Sequence, residues 1–151
     1  MPTFPAVSTI AQTIQLSLSP VFMLAGIGAF VNVLAGRLGR VVDRGRMLEA
    51  LHPKSQGPEH DRHVRELRVL DQRIRLINAG LLLAVLSAVT TCLVVTLLFV
   101  AELGRLHIGR GVAFAFIGAM VFLIAALAAF MIEVRVATHA LRIRPELLER
   151  G

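Results

Sequence analysis

Residues 76–101 read LINAGLLLAVLSAVTTCLVVTLLFVA, a run of 26 residues without one charged side chain. A helix rises about 1.5 Å per residue, so about 20 residues cross the hydrocarbon of a bilayer. Buried in lipid, the backbone must satisfy its own polar groups, and a single segment does that only as a helix. The β-branched cluster Val94-Val95-Thr96 is a mild propensity against helix that the lipid environment overrides. Outward from this stretch the pattern repeats. No charge occurs from Met1 to Gly36, and none from Gly111 to Ile132. The expected fold class is therefore an all-α membrane protein with three transmembrane helices.

Composition agrees. Hydrophobic residues make up 56% of the chain and charged residues 17%, against about a quarter charged in ordinary soluble domains. The net charge of +6 could point to nucleic acid, but there is no aromatic platform and no free basic domain. Basic residues flanking apolar runs are read instead as orientation signals. Cys92 is the single cysteine, so an intrachain disulfide is excluded. Tyr and Trp are absent, and the eight Phe have no polar edge with which to form an interfacial belt.

The expected organisation is an outer interfacial segment over 1–19, spans over 20–38, 76–101 and 111–132, a cytoplasmic hairpin over 39–75, an outer loop over 102–110 and a cytoplasmic tail over 133–151. At Ser19-Pro20 two readings stand. Serine caps and proline opens the first spanning helix, with an amphipathic segment Val7–Leu18 lying in the outer interface; or a single long helix is kinked at Pro20. The lack of a basic amino-terminal region argues against a cleaved signal peptide. Orientation follows from Lys and Arg. The connection 37–75 holds ten, the tail four, the connection 102–110 two and the amino-terminal segment none. The positive-inside rule puts the amino terminus outside and the carboxyl terminus in the cytoplasm.

The first connection is patterned. Apolar or small residues recur at Leu34, Leu38, Val41, Gly45 and Leu48, and again at Val64, Leu67, Leu70, Ile74, Ile77 and Leu81. Alternating steps of three and four form a coiled-coil seam. Between the arms, 52–58 read HPKSQGP, a turn by composition. The two helices are expected to run on into the cytoplasm and pair antiparallel, with Leu34 against Ile77 and Val41 against Leu70. That register sets Arg40 opposite Asp71 and Asp43 opposite Arg68, charge pairs of opposite sign.

The stretch 14–22, IQLSLSPVF, followed by Gly26-Ile27-Gly28, Asn32-Val33-Leu34 and 37–44, RLGRVVDR, resembles the opening of the bacterial domain of unknown function 2721 membrane proteins. The resemblance extends over roughly 10–101 and is compatible with the third span. It implies the fold and a location in a bacterial inner membrane, and brings no established activity or site residues.

Several polar and small residues are candidates for function. Asn32 and Asn78 lie within or near the spans, where polar groups face other helices or water. Ser87, Thr90, Thr91 and Thr96 add hydroxyls to the second span, either lining a pathway or bonding back to their own helix. Ala25, Gly26, Gly28, Ala29, Gly36 and Gly39 form a small-residue face on the first helix. Gly111, Ala115, Gly118 and Ala119 form one on the third. Such faces let membrane helices approach closely. Arg37, Arg40, Arg44 and Arg46 would meet anionic lipid headgroups. Glu133 would pair with Arg37 or Arg75, or serve a proton route. His52, His60 and His63, with Glu59 and Asp61, could hold a metal, although a solvated polar tip explains them as well. No phosphate loop, zinc-protease motif or nucleophile elbow is present. No enzyme activity and no cofactor is expected.

Three spans in one chain do not easily enclose a water route, but several chains around an axis can. The expected function is a homo-oligomer forming an ion or small-solute pore. The alternative is a non-conducting scaffold or regulatory membrane protein whose hairpin binds a cytoplasmic partner. The orientation has a direct check: cysteines placed at Thr3 and Leu106 should react with an impermeant thiol reagent outside intact cells, and a cysteine at Ser55 should not.

Overall fold

The computed structural model describes residues 5–51, 57–104 and 109–140. They form three helices: α1, Pro5–Leu51; α2, Pro58–Gly104; and α3, Gly109–Ala140. Each holds a segment long and apolar enough to cross a membrane: Leu18–Leu51, Pro58–Gly104 and Gly109–Thr138. The hairpin arms are thus helical and continuous with the first two spans. Pro20 lies inside α1, so of the two readings at Ser19-Pro20 the single long helix is the one observed. Pro20 is buried and lines an apolar crevice together with Val94 of α2 and Val112 of α3. Residues 52–56 of the turn lie outside the described residues. At the end of the turn Gly57 has a φ of 66°, a left-handed conformation that glycine adopts without steric penalty. Its carbonyl accepts the first helical bond, from Asp61 N–H at 3.4 Å. Pro58 then occupies the first position, where its missing donor costs nothing, and Glu59 and Asp61 sit in the first turn, where the helix dipole favours negative charge.

The helices are joined by two seams, both with a seven-residue period. On α1 the buried positions beyond Pro20 are Ile27, Leu34, Val41 and Leu48. Leu34, Val41 and Leu48 form one cluster with Leu70 and Ile77, and Ile27 joins Ala84 and Ala126 in a second. Rising numbers on α1 meet falling numbers on α2, as in an antiparallel pair, and the expected seam residues Leu34, Val41, Leu70 and Ile77 share one buried cluster. The second seam uses the α2 positions 73, 80, 87 and 94, half a heptad away. They face Glu133, Ala126, Ala119 and Val112 of α3, again in reverse order. A Cβ on Gly80 would lie 3.6 Å from the Ala126 carbonyl. Ser87 donates its hydroxyl to the Ala119 carbonyl at 2.7 Å.

The seams differ in bulk, and the difference has a physical use. Leucine, isoleucine and valine interdigitate between α1 and α2. Glycine, serine and alanine between α2 and α3 let the backbones approach until a side-chain hydroxyl reaches across. Outside the seams the surface is strongly apolar, with Leu82, Val89, Phe114 and Ile124 all more than half exposed. Hydrocarbon can cover such a surface and water cannot do so favourably.

The α2–α3 seam yields a graded test at Gly80. An added Cβ would meet Leu34 Cδ1 at 3.5 Å and the Ala126 carbonyl at 3.6 Å, ordinary contact distances. Gly80→Ala should leave the melting temperature in detergent unchanged or raised, since glycine costs up to about 1 kcal/mol in a helix interior. Gly80→Leu should lower stability by about 1–3 kcal/mol through overpacking.

Candidate functional site: a buried carboxylate between two arginines

Each apolar run ends in charge, and the three ends meet. Arg37 is the first charged residue on α1. Glu133 is the first after the apolar run of α3. Arg73 stands on α2 just before its apolar run begins at Leu76. Glu133 follows Ala126 by seven residues and so continues the α3 seam inward, where it is fully buried. Arg37 Nη2 lies 2.9 Å from Glu133 Oε2. Arg73 Nε donates to Glu133 Oε1, also at 2.9 Å. The Arg37 guanidinium carbon lies 5.2 Å from the centroid of the Phe130 ring. That ring meets Phe30 edge-on, with centroids 5.6 Å apart. One carboxylate therefore ties three helices together, and two aromatic rings stand beside it on the apolar side.

The expected partner of Glu133 was Arg37 or Arg75; it takes Arg37 together with Arg73. Arg75 pairs with Asp71 one turn away on its own helix, at 2.8 Å and exposed. Arg73 was missed, although it had a signal. It lies three residues after Leu70 and four before Ile77, which is a seam position occupied by a charge. A third interhelical ion pair among the described residues joins Arg44 and Glu66, at 2.8 Å.

Neither Arg40–Asp71 nor Asp43–Arg68 is an ion pair among the described residues. A shared level along the helices does not fix the direction in which two side chains point. Asp43 is two residues beyond Val41, about 200° round the helix from the seam, and Arg68 is equally far round from Leu70. Both are exposed.

The other candidates separate into satisfied and outward-facing groups. Thr90, Thr91 and Thr96 donate to the carbonyls of Leu86, Ser87 and Cys92 at 2.8, 2.8 and 2.9 Å, and only Ser87 reaches another helix. Asn32 and Asn78 are exposed on the bundle surface. Gly26, Gly28, Gly36 and Gly39 have nothing within 4 Å of where a Cβ would stand, and the same holds for Gly111 and Gly118. Among the described residues no group of three His, Cys, Asp or Glu comes together around a point that could hold a metal. His52 lies outside them.

The family model described as "Protein of unknown function (DUF2721)" matches residues 17–143. The chain belongs to this family. The match spans most of α1, all of α2 and α3, and with them Arg37, Arg73 and Glu133. No curated protein and no solved structure matches the chain. The DUF2721 description carries no activity, so the residues themselves must supply the functional argument.

What the cluster does most directly is hold. Removing one member of a buried ionic group leaves charge uncompensated and typically costs about 3–5 kcal/mol. Glu133→Gln, which strands two guanidinium groups, should lower the melting temperature in detergent accordingly. Arg75→Gln, which breaks only the exposed pair with Asp71, should change stability by less than about 0.5 kcal/mol.

Proposed function

We propose that this DUF2721 protein is a subunit of a homo-oligomeric assembly in the bacterial inner membrane, amino terminus outside and carboxyl terminus in the cytoplasm. In this reading α1 surrounds an axis that conducts an ion or small solute. The observation that carries the proposal is the outer face of α1. Ala25, Ala29, Asn32, Gly36 and Gly39 follow one another at steps of three and four, and all are exposed. They stand on the side of the helix away from Ile27, Leu34 and Val41. In hydrocarbon an asparagine amide without partners is expensive, and side chains of this kind face another helix or water. The small neighbours of Asn32 would admit either. The interior of the single chain supports an intermolecular rather than an internal route, because its seams are closed by side chains. We read the protein as non-catalytic, supported by Ser87 and Glu133 inside the bundle each bonding to a neighbouring helix.

A non-conducting scaffold is the second reading. It is favoured by the length of α1 and α2 beyond the apolar runs, where exposed charges such as Asp43, Arg46, Asp61 and Arg68 could meet a cytoplasmic protein.

Gly28 separates assembly from folding, because a side chain there meets nothing within the chain. Gly28→Leu should leave the helical content and melting temperature of the protomer intact while shifting the mass in nanodiscs toward monomer. In planar bilayers the wild-type oligomer should conduct, and Asn32→Leu should reduce that current. An oligomer that carries no current would favour the scaffold. A wild-type monomer in both detergent and nanodiscs would remove the pore.

A further inference from the structure

Four arginines line one cavity of about 350 Å³ between α1 and α2: Arg37, Arg40 and Arg44 from α1 and Arg73 from α2, with Val41 and Leu70 completing the wall. Like charges gathered in one place repel unless opposite charge offsets them. Two carboxylates do so in part. Glu133 holds Arg37 and Arg73, and Glu66 holds Arg44. Arg40 has no ion-pair partner among the described residues. Asp71, expected opposite Arg40, pairs with Arg75 instead, and Asp43 is exposed round the far side of α1. Four positive charges against two negative ones leave an excess of two. In addition, Arg37 Nε is buried without a hydrogen-bond partner, a donor whose desolvation is uncompensated within the chain. The cavity begins where the apolar run of α1 ends, at Arg37, which is the level of lipid phosphates if α1 spans a bilayer.

We propose that this pocket binds an anionic phosphate group. Guanidinium groups present paired N–H donors that match two oxygens of one phosphate. A group carrying one to two negative charges would neutralise the excess and supply acceptors to Arg40 and Arg37. The same chemistry is offered by the headgroup of an acidic phospholipid and by a soluble phosphate. The pocket is independent of whether the assembly conducts. It is also more specific than the general attraction of basic residues to an acidic membrane, because Arg46, on the same helix and exposed, is not part of it.

The test uses the full chain, delipidated in neutral detergent at fixed ionic strength. Phosphatidylglycerol, phosphatidylcholine and inorganic phosphate are titrated separately, with the melting temperature and native mass spectrometry as readouts. Phosphatidylglycerol or inorganic phosphate should bind and stabilise. Arg40→Gln should weaken that binding about ten-fold, the equivalent of losing one hydrogen bond between charged groups, while leaving the melting temperature of the unliganded protein unchanged or raised, since it removes an unpaired charge from a repelling cluster. Arg46→Gln should leave affinity within about two-fold, since a charge outside the pocket acts only through screened attraction. Response to phosphatidylglycerol alone assigns the lipid headgroup, and response to inorganic phosphate assigns a soluble source. Equal losses in the two variants, phosphatidylcholine binding as tightly as phosphatidylglycerol, or no response to either anion would overturn the site.

Discussion

Glu133 is buried where three helices leave their apolar segments, and its carboxylate is held by an arginine from each of the other two. A lone carboxylate at that position would be costly, and so would either arginine. Together they are tolerable only when α1, α2 and α3 are in register. The cluster therefore acts less as a source of net stability than as a condition on assembly. Displacing any helix by one turn would strand a charge. Apolar seams are permissive to such slips, since leucine meets leucine again one heptad on. A single buried ionic contact at one end removes that freedom.

The two seams divide the remaining work. Between α1 and α2, bulky residues at seven-residue intervals continue from the apolar spans into the charged arms, so one packing mode joins membrane-like and water-like surroundings. Between α2 and α3, small residues bring the backbones close enough for Ser87 to bond to a carbonyl of its neighbour. With α2 committed on two sides, the outer faces of α1 and α3 are left over. The face of α1 is lined by alanine, glycine and Asn32 rather than by the large apolar residues that cover α2. This asymmetry is what gives the proposed oligomer its direction.

Ionic contacts on the arms show how far packing governs pairing. Arg44 reaches Glu66 across the seam, whereas Asp71 turns to Arg75 on its own helix. Arg37, Arg40 and Arg44 of α1 gather beside Arg73, producing a basic cavity just beyond the apolar run. A run of arginines along one helix can thus build a pocket by position.

The sequence by itself determined three long apolar helices and the seam positions of the first pair, Leu34, Val41, Leu70 and Ile77, which share one buried cluster. Those properties follow from length, charge exclusion and period, which are one-dimensional. It also marked Glu133 as an acid needing a partner. It could not say that the partner included Arg73, because that depends on which side of α2 faces α3, and the small-residue seam that decides this is spread over Gly80, Ser87, Ala119 and Ala126. The charge pairs Arg40–Asp71 and Asp43–Arg68 were legible as levels along two helices. Levels ignore rotation about the helix axis, which only the packed seams define. The tertiary structure likewise decided that Gly28 and Asn32 face outward, because burial depends on all three helices together.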